Sequence, residues 1–146
     1  MTLHLLKLCV GVESIEDLAH WQRQRLAAMK AAGQKAEIIH RTFQMPKRRE
    51  ELLDAGSLYW VIKGAVQARQ ALRDIREGRK DDGRPCAVLV LDRELVPVRP
   101  VPRRAFQGWR YLSADDAPPD LGAGGDANVA EMPAQMRRAL AELGLI

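Results

Sequence analysis

Residues 57–77 read SLYWVIKGAVQARQALRDIRE, and the conformation of their second half decides the fold. In the first half Leu58, Trp60 and Ile62 alternate with Tyr59 and Val61. That period of two sends successive side chains to opposite faces of a strand. Residues 65–77 are rich in Ala, Gln, Leu and Arg, which favour helix by propensity. They also alternate: Val66, Ala68 and Leu72 oppose Arg69 and Arg73, with Ile75 as the apolar exception. The alternation predicts a second strand, paired with the first across a bend at Gly64. A helix here would break a barrel-like sheet.

Just upstream, residues 40–56 read HRTFQMPKRREELLDAG. Glu37 to Phe43 is expected to form a strand, with Ile38, His40 and Thr42 on one face and Ile39, Arg41 and Phe43 on the other. Pro46 is expected to open a short helix, since a missing N–H costs nothing in a first turn. Leu52 and Leu53 would give that helix its apolar contact, and Gly56 would end it. Further back, residues 2–10 form a strand with apolar groups on both sides, Leu3, Leu5 and Cys9 against His4, Leu6 and Leu8. Ser14 and Asp17 make a capping box. The helix they open runs to about Ala32 along a stripe of Ile15, Leu18, Gln22, Leu26 and Met29, and Gly33 stops it.

Downstream, GRKDDGRP (78–85) is a turn and Cys86 to Leu91 a short apolar strand. ELVPVRPVP (94–102) is extended, and its alternate prolines exclude a central strand position. RRAFQGWRYL (103–112) mixes basic and aromatic groups. Three segments follow from this: one α+β domain over 1–112, a linker rich in Gly, Pro and Asp over 113–130, and a terminal helix over 131–146. Met136, Leu140 and Leu143 would pack that helix on the domain.

Charge is uneven along the chain. Residues 35–112 carry 17 basic and 10 acidic side chains, whereas residues 113–146 carry 2 and 6. A basic middle favours an anionic partner, and an acidic tail could mask it. The apolar run at the N-terminus is interrupted by Lys7, which argues against a signal peptide. No apolar stretch is long enough to cross a membrane as a helix. The lone thiols Cys9 and Cys86 lack metal-ligand spacing, and neither His4 nor His20 supplies it, so no metal and no cofactor is expected. A cytoplasmic setting follows.

The candidate site residues fall in four groups. Lys47, Arg48 and Arg49 open a helix whose backbone N–H groups would favour phosphate; the alternative is a solvated turn. Tyr59 and Trp60 point to opposite faces, and Trp60 reads as core beside Leu58 and Ile62, which leaves Tyr59 as a stacking platform. His40 and Thr42 share a face and could line a polar pocket for proton transfer, with Arg41 opposite; the alternative is a satisfied structural histidine, since the sequence assigns it no partner carboxylate. Arg103, Arg104, Trp109, Arg110 and Tyr111 suit stacking and phosphate contact, or a clamp in which Trp109 plugs the sheet edge. Lys63 adds to the basic surface, and Arg69 would pair with Glu77 or with a ligand.

The segments PKRREELLDAGSLYWVIKG, VQARQALRDI, VLDRELVPV, PRRAFQGWRYL and MPAQMRRALAELGLI resemble a family of small bacterial proteins defined only as a domain of unknown function. That resemblance spans nearly the whole chain and implies no activity. The order of elements is in turn similar to the PUA-like superfamily, which includes the PUA, ASCH and EVE domains. This second likeness implies a small, mostly antiparallel barrel-like sheet flanked by the helices at 14–32 and 131–143. Members of that group mostly bind RNA or modified bases, and a few act on modified nucleosides. The motif GxKxxExR, carried by many ASCH domains, is absent. The expected function is therefore a binding module for RNA or a modified nucleotide. The alternatives are a small hydrolase of a modified nucleoside and a partner-binding structural protein.

Overall fold

The computed structural model describes residues 2–121. Strand β1 (Leu3–Leu8) is followed by helix α1 (Ile15–Ala31), strand β2 (Ile38–Thr42) and the short helix α2 (Arg49–Leu53). Strands β3 (Ser57–Ile62), β4 (Ala65–Arg79), β5 (Pro85–Leu91), β6 (Val96–Pro102) and β7 (Trp109–Ser113) then run in succession. Residues 65–79 are a strand, as the alternation predicts, and the helix propensity of their Ala and Gln is overridden by pairing with β3 and β6 in the first half and with β5 in the second. The turn into β4 is Lys63-Gly64, with φ of 50° and 83°, the doubly left-handed loop that matches the twist of a tight hairpin.

β4 organises the molecule. Its first half pairs antiparallel with β3 (Tyr59 opposite Arg69) and with β6 (Val66 opposite Val101). Its second half pairs with β5 (Ile75 opposite Leu89). β5 in turn pairs with β2, and β3 pairs parallel with β1, because α1, β2 and α2 carry the chain between them. The resulting order is β2-β5-β4-β3-β1-β7, with β6 joined to β4. The sheet is mostly antiparallel, but it is not closed into the expected barrel. Its terminal strands β2 and β7 do not pair with each other. The proline-rich β6 pairs with β4 alone among the strands. Arg99 N–H donates to the Pro119 carbonyl and Leu121 N–H to the Pro97 carbonyl, so residues 119–121 cover its outer edge.

Both faces of the central strands are buried. Leu3, Leu5, Leu58, Trp60 and Ile62 meet Leu72, Ile75, Leu89 and Leu91, with Leu18 and Leu52 from the two helices, in the larger core. Tyr59, Val61, Leu6, Val66, Val98 and Leu112 form the smaller one on the other face. The alternation read at 58–62 therefore assigns each side chain to its core, and Trp60 packs in the larger one. On α1 the Ser14 hydroxyl accepts from Asp17 N–H (3.1 Å), while the Asp17 carboxylate accepts from Glu13 N–H (3.3 Å), one residue before the cap. Gly33, at φ 74°, follows the helix as expected.

Two local expectations are corrected. Pro46 does not open α2, which begins at Arg49. The intervening backbone is held by tertiary partners instead: Trp109 Nε1–H donates to the Gln44 carbonyl (2.7 Å), and the N–H groups of Lys47 and Arg48 donate to the Tyr111 hydroxyl (3.1 and 3.2 Å). At the other end the left-handed residue is Ala55 (φ 65°) rather than Gly56. Gly56 is required for a different reason: a Cβ there would lie 2.1 Å from the Leu52 carbonyl oxygen and 2.4 Å from that of Leu3. The expected terminal helix at 131–146, and residues 122–130 of the expected linker, lie outside the described residues.

Candidate functional site

Strand alternation puts Lys7 on the same side of β1 as Leu3 and Leu5, one step beyond the apolar core. Cys9 N–H continues the ladder by donating to the Val61 carbonyl (2.8 Å), and the chain then turns at Gly11, φ 81°. The capped helix α1 returns over this end of the sheet and carries Leu18, Trp21 and Gln22. β2 lies across from it with Ile38 and His40. Between them is a cleft of about 490 Å³. Its walls are mostly apolar, from Leu8, Val12, Leu18, Ile39 and Trp60, and Trp21 (44% exposed) stands at its mouth.

The polar groups of the cleft are few and unusual. The His40 ring meets Trp60 edge-on, with centroids 5.2 Å apart and planes at 89°. Its Nε2 is buried and has no hydrogen-bond partner among the described residues. Burial, and then the charges of Lys7 and Lys80, lower the His40 pKa to about 4, so the imidazole is neutral at neutral pH. Burial and the Lys80 charge also hold the half-buried Lys7 below its ordinary value. The Cys9 thiol is pushed up to about 11 by burial against the opposing pull of Lys7, and remains protonated. Arg41 stands exposed at the rim. Among the described residues no carboxylate lines the cleft, and neither Lys7 nor Lys80 has an ion-pair partner.

Beneath the cleft lies a polar network that holds its walls. Gln22 and Gln70 exchange amide hydrogen bonds, each of 2.9 Å; Trp60 Nε1–H donates to Gln70 Oε1 (2.9 Å), and Gln70 Nε2 donates to the Asp92 carbonyl (2.9 Å). Every hydrogen-bonding group of the Gln70 amide is thereby used, which orients the indole that His40 touches.

The other sequence-read residues are distributed elsewhere. At the basic turn the Tyr111 hydroxyl already accepts the N–H groups of Lys47 and Arg48, where a phosphate was expected. The Arg48 guanidinium forks onto Glu51 and lies over the Tyr111 ring (5.6 Å). Arg49 donates to the Ile75 carbonyl (2.8 Å) and to Asp74 (2.6 Å). Tyr59 is buried against His4, with centroids 5.0 Å apart, and so offers no open stacking face. Thr42 is buried at the end of β2. Trp109 is buried at the edge strand, and Arg110 lies over Phe106 (5.2 Å). Lys63, Arg103 and Arg104 are exposed near the β3–β4 turn, where Arg103 N–H donates to the Gly64 carbonyl (2.9 Å).

Arg69 pairs neither with Glu77 nor with an open site. It forks onto Asp120, with both contacts at 2.7 Å, and donates to the Ser57 hydroxyl (3.1 Å). Asp120 lies in the segment read as linker, too far along the chain for charge spacing to suggest the pair.

Of the residues read from sequence, the cleft gathers His40 and Arg41. Reading by sequence missed Lys7, Trp21 and Gln22 there, and Lys80 beside them. Lys7 did leave a signal: it is a charge on the inward side of an otherwise apolar strand. Among the described residues no three His, Cys, Asp or Glu side chains converge to hold a metal ion, and no helix is long and apolar enough to cross a membrane.

The family model of DUF1489, a protein family of unknown function, matches residues 5–146, and the chain belongs to that family. No curated protein and no solved structure matches it.

Proposed function

We propose that this member of the family is a nucleotide-binding protein whose ligand enters the cleft between β1, α1 and β2. The observation that carries the reading is the union of apolar walls with the positive charge of Lys7 and Arg41, which line the cleft where no carboxylate does among the described residues. Lys7 and Arg41 in the cleft and Lys80 beside it suit a phosphate, and Trp21 offers a ring to a base. A pocket of this size, largely apolar with a few convergent polar groups of shifted pKa, has the general character of a ligand site. The element order that resembles the PUA-like superfamily points the same way by analogy. The basic turn at 47–49 is a poorer candidate, since two of its three cations are engaged within the chain. A cytoplasmic setting accords with the reading.

Titration with nucleoside 5′-monophosphates, carrying both common and modified bases, tests it. Trp21→Ala should weaken binding about tenfold, in line with the ~1–3 kcal/mol of a base stacked on an aromatic ring. Lys7→Ala should weaken it and flatten its salt dependence. Absence of binding at low salt across the panel would refute the proposal. Hydrolysis of a modified nucleoside would use the same cleft with His40 in proton transfer, and a turnover assay on the same panel separates that alternative from simple binding.

A further inference from the structure

Phe43 follows directly after β2 and is 54% exposed. An aromatic ring on the surface is ordinary, but this one carries two cations: Lys80 Nζ lies 3.7 Å from its centroid and the Arg84 guanidinium carbon 4.7 Å. Arg84 is also paired with Asp82 (2.6 Å), so its charge is largely answered. Lys80 has no ion-pair partner among the described residues. The ring borders a second hollow of about 470 Å³ formed with Met45, Pro85 and Cys86 and flanked by Glu77. Phe43 is three residues beyond His40, in the bend that follows β2. Lys80 touches Phe43, and its charge acts on Lys7 and His40 at the first cleft as well as on the Asp82 carboxylate.

We infer that the ligand is a single-stranded nucleic acid, with one nucleotide in the cleft, its neighbour stacked on Phe43, and Lys80 at the phosphate between them. This rests on the nucleotide reading above and extends it from a mononucleotide to a strand. An arriving base can displace the ammonium from the ring face, while the accompanying phosphate keeps that ammonium as its counter-ion. Stacking on an exposed ring next to a backbone cation is how single strands are held without a duplex groove.

The test compares the nucleoside 5′-monophosphates with a short mixed-sequence single-stranded RNA on the wild-type chain, Phe43→Ala and Lys80→Ala. The RNA should bind at least about tenfold more tightly than the monophosphates, Phe43→Ala should abolish that gain while sparing monophosphate affinity, and Lys80→Ala should weaken both. Monophosphate binding with no gain for RNA, or a gain that survives Phe43→Ala, overturns the strand inference and leaves the single-nucleotide site standing. Failure of the wild-type chain to bind either probe overturns both. Phe43 is exposed, so Phe43→Ala should keep its fold, and circular dichroism checks that it does.

Discussion

Gln22 on α1 and Gln70 on β4 are bound face to face by two reciprocal amide hydrogen bonds of 2.9 Å, although 48 residues separate them. Gln70 is fully buried and Gln22 is 4% exposed. The pair fastens the helix to the sheet at the base of the cleft. A buried amide that lost these bonds would carry its full desolvation penalty.

Gln70→Leu should therefore be among the most damaging single changes in the chain. It strands the Gln22 amide, the Trp60 indole N–H and the Asp92 carbonyl, at roughly 1–3 kcal/mol for each unsatisfied group. A total loss of at least about 3 kcal/mol is expected in urea unfolding. A loss below about 1 kcal/mol would mean that water replaces the network.

Gly56→Ala should destabilise severely, because both atoms that its Cβ would meet, the carbonyl oxygens of Leu52 and Leu3, belong to backbone and cannot swing aside. Ala55→Gly next to it should do the opposite. Ala55 sits at φ 65°, a conformation that costs a non-glycine residue roughly 1–2 kcal/mol, so a gain of about 1 kcal/mol is expected. Thermal melts of the two variants should move in opposite directions.

Stability should fall on mild acidification because of His40. Its pKa is about 4 in the folded chain against 6.5 as the ordinary value. Below pH 6.5 the unfolded chain takes up a proton that the folded chain refuses. Stability is thus full above that pH and is lost as the pH falls from 6.5 towards 4, by up to about 3 kcal/mol. His4, lowered by burial and by Arg69, adds in the same direction. His40→Phe should flatten much of this limb in denaturation measured against pH. An unchanged slope would show that His40 is not the group responsible.

The fork of Arg69 onto Asp120 ties residues 119–121 to β4. Both side chains are partly exposed, 25% and 32%, so solvent weakens the pair. A double-mutant cycle with Arg69→Ala and Asp120→Asn should return a coupling of about 1 kcal/mol, since bidentate geometry favours the upper end of the exposed range. Because Arg69 holds the Asp120 carboxyl below its ordinary value, this contribution is present above the usual carboxylate range and is lost as pH falls through the lowered pKa.

Cys9 should resist alkylation. With its thiol at about 11 against an ordinary 9.0, the thiolate fraction near neutral pH falls about 100-fold. In a Cys86→Ala background, the iodoacetamide rate should be slow at pH 8 and rise steeply as the pH approaches 11. Fast labelling at pH 8 would mean that the thiol is more solvated than its position at the cleft indicates.

The sequence by itself determined the first five strands and the first helix, and which of their side chains share a face, whereas β7 at 109–113 was not legible. Alternation at 58–62 and 65–72, the cap at Ser14 and the stop at Gly33 are local, and backbone geometry repeats over a few residues wherever such patterns occur. Even the fold-deciding stretch 65–79 was legible, because alternation there outweighed propensity. Partner choice was left to the tertiary structure. Nothing in residues 1–10 announces that β1 will pair parallel with β3, that Gln22 will meet Gln70, or that Arg69 will select Asp120 over Glu77. The same holds for the candidate site, where Lys7 of β1, Trp21 of α1 and His40 of β2 line one cleft. Periodicity assigns a side chain to a face, but the partners that β4 takes along its length, β3 and β6 and then β5, decide which faces meet.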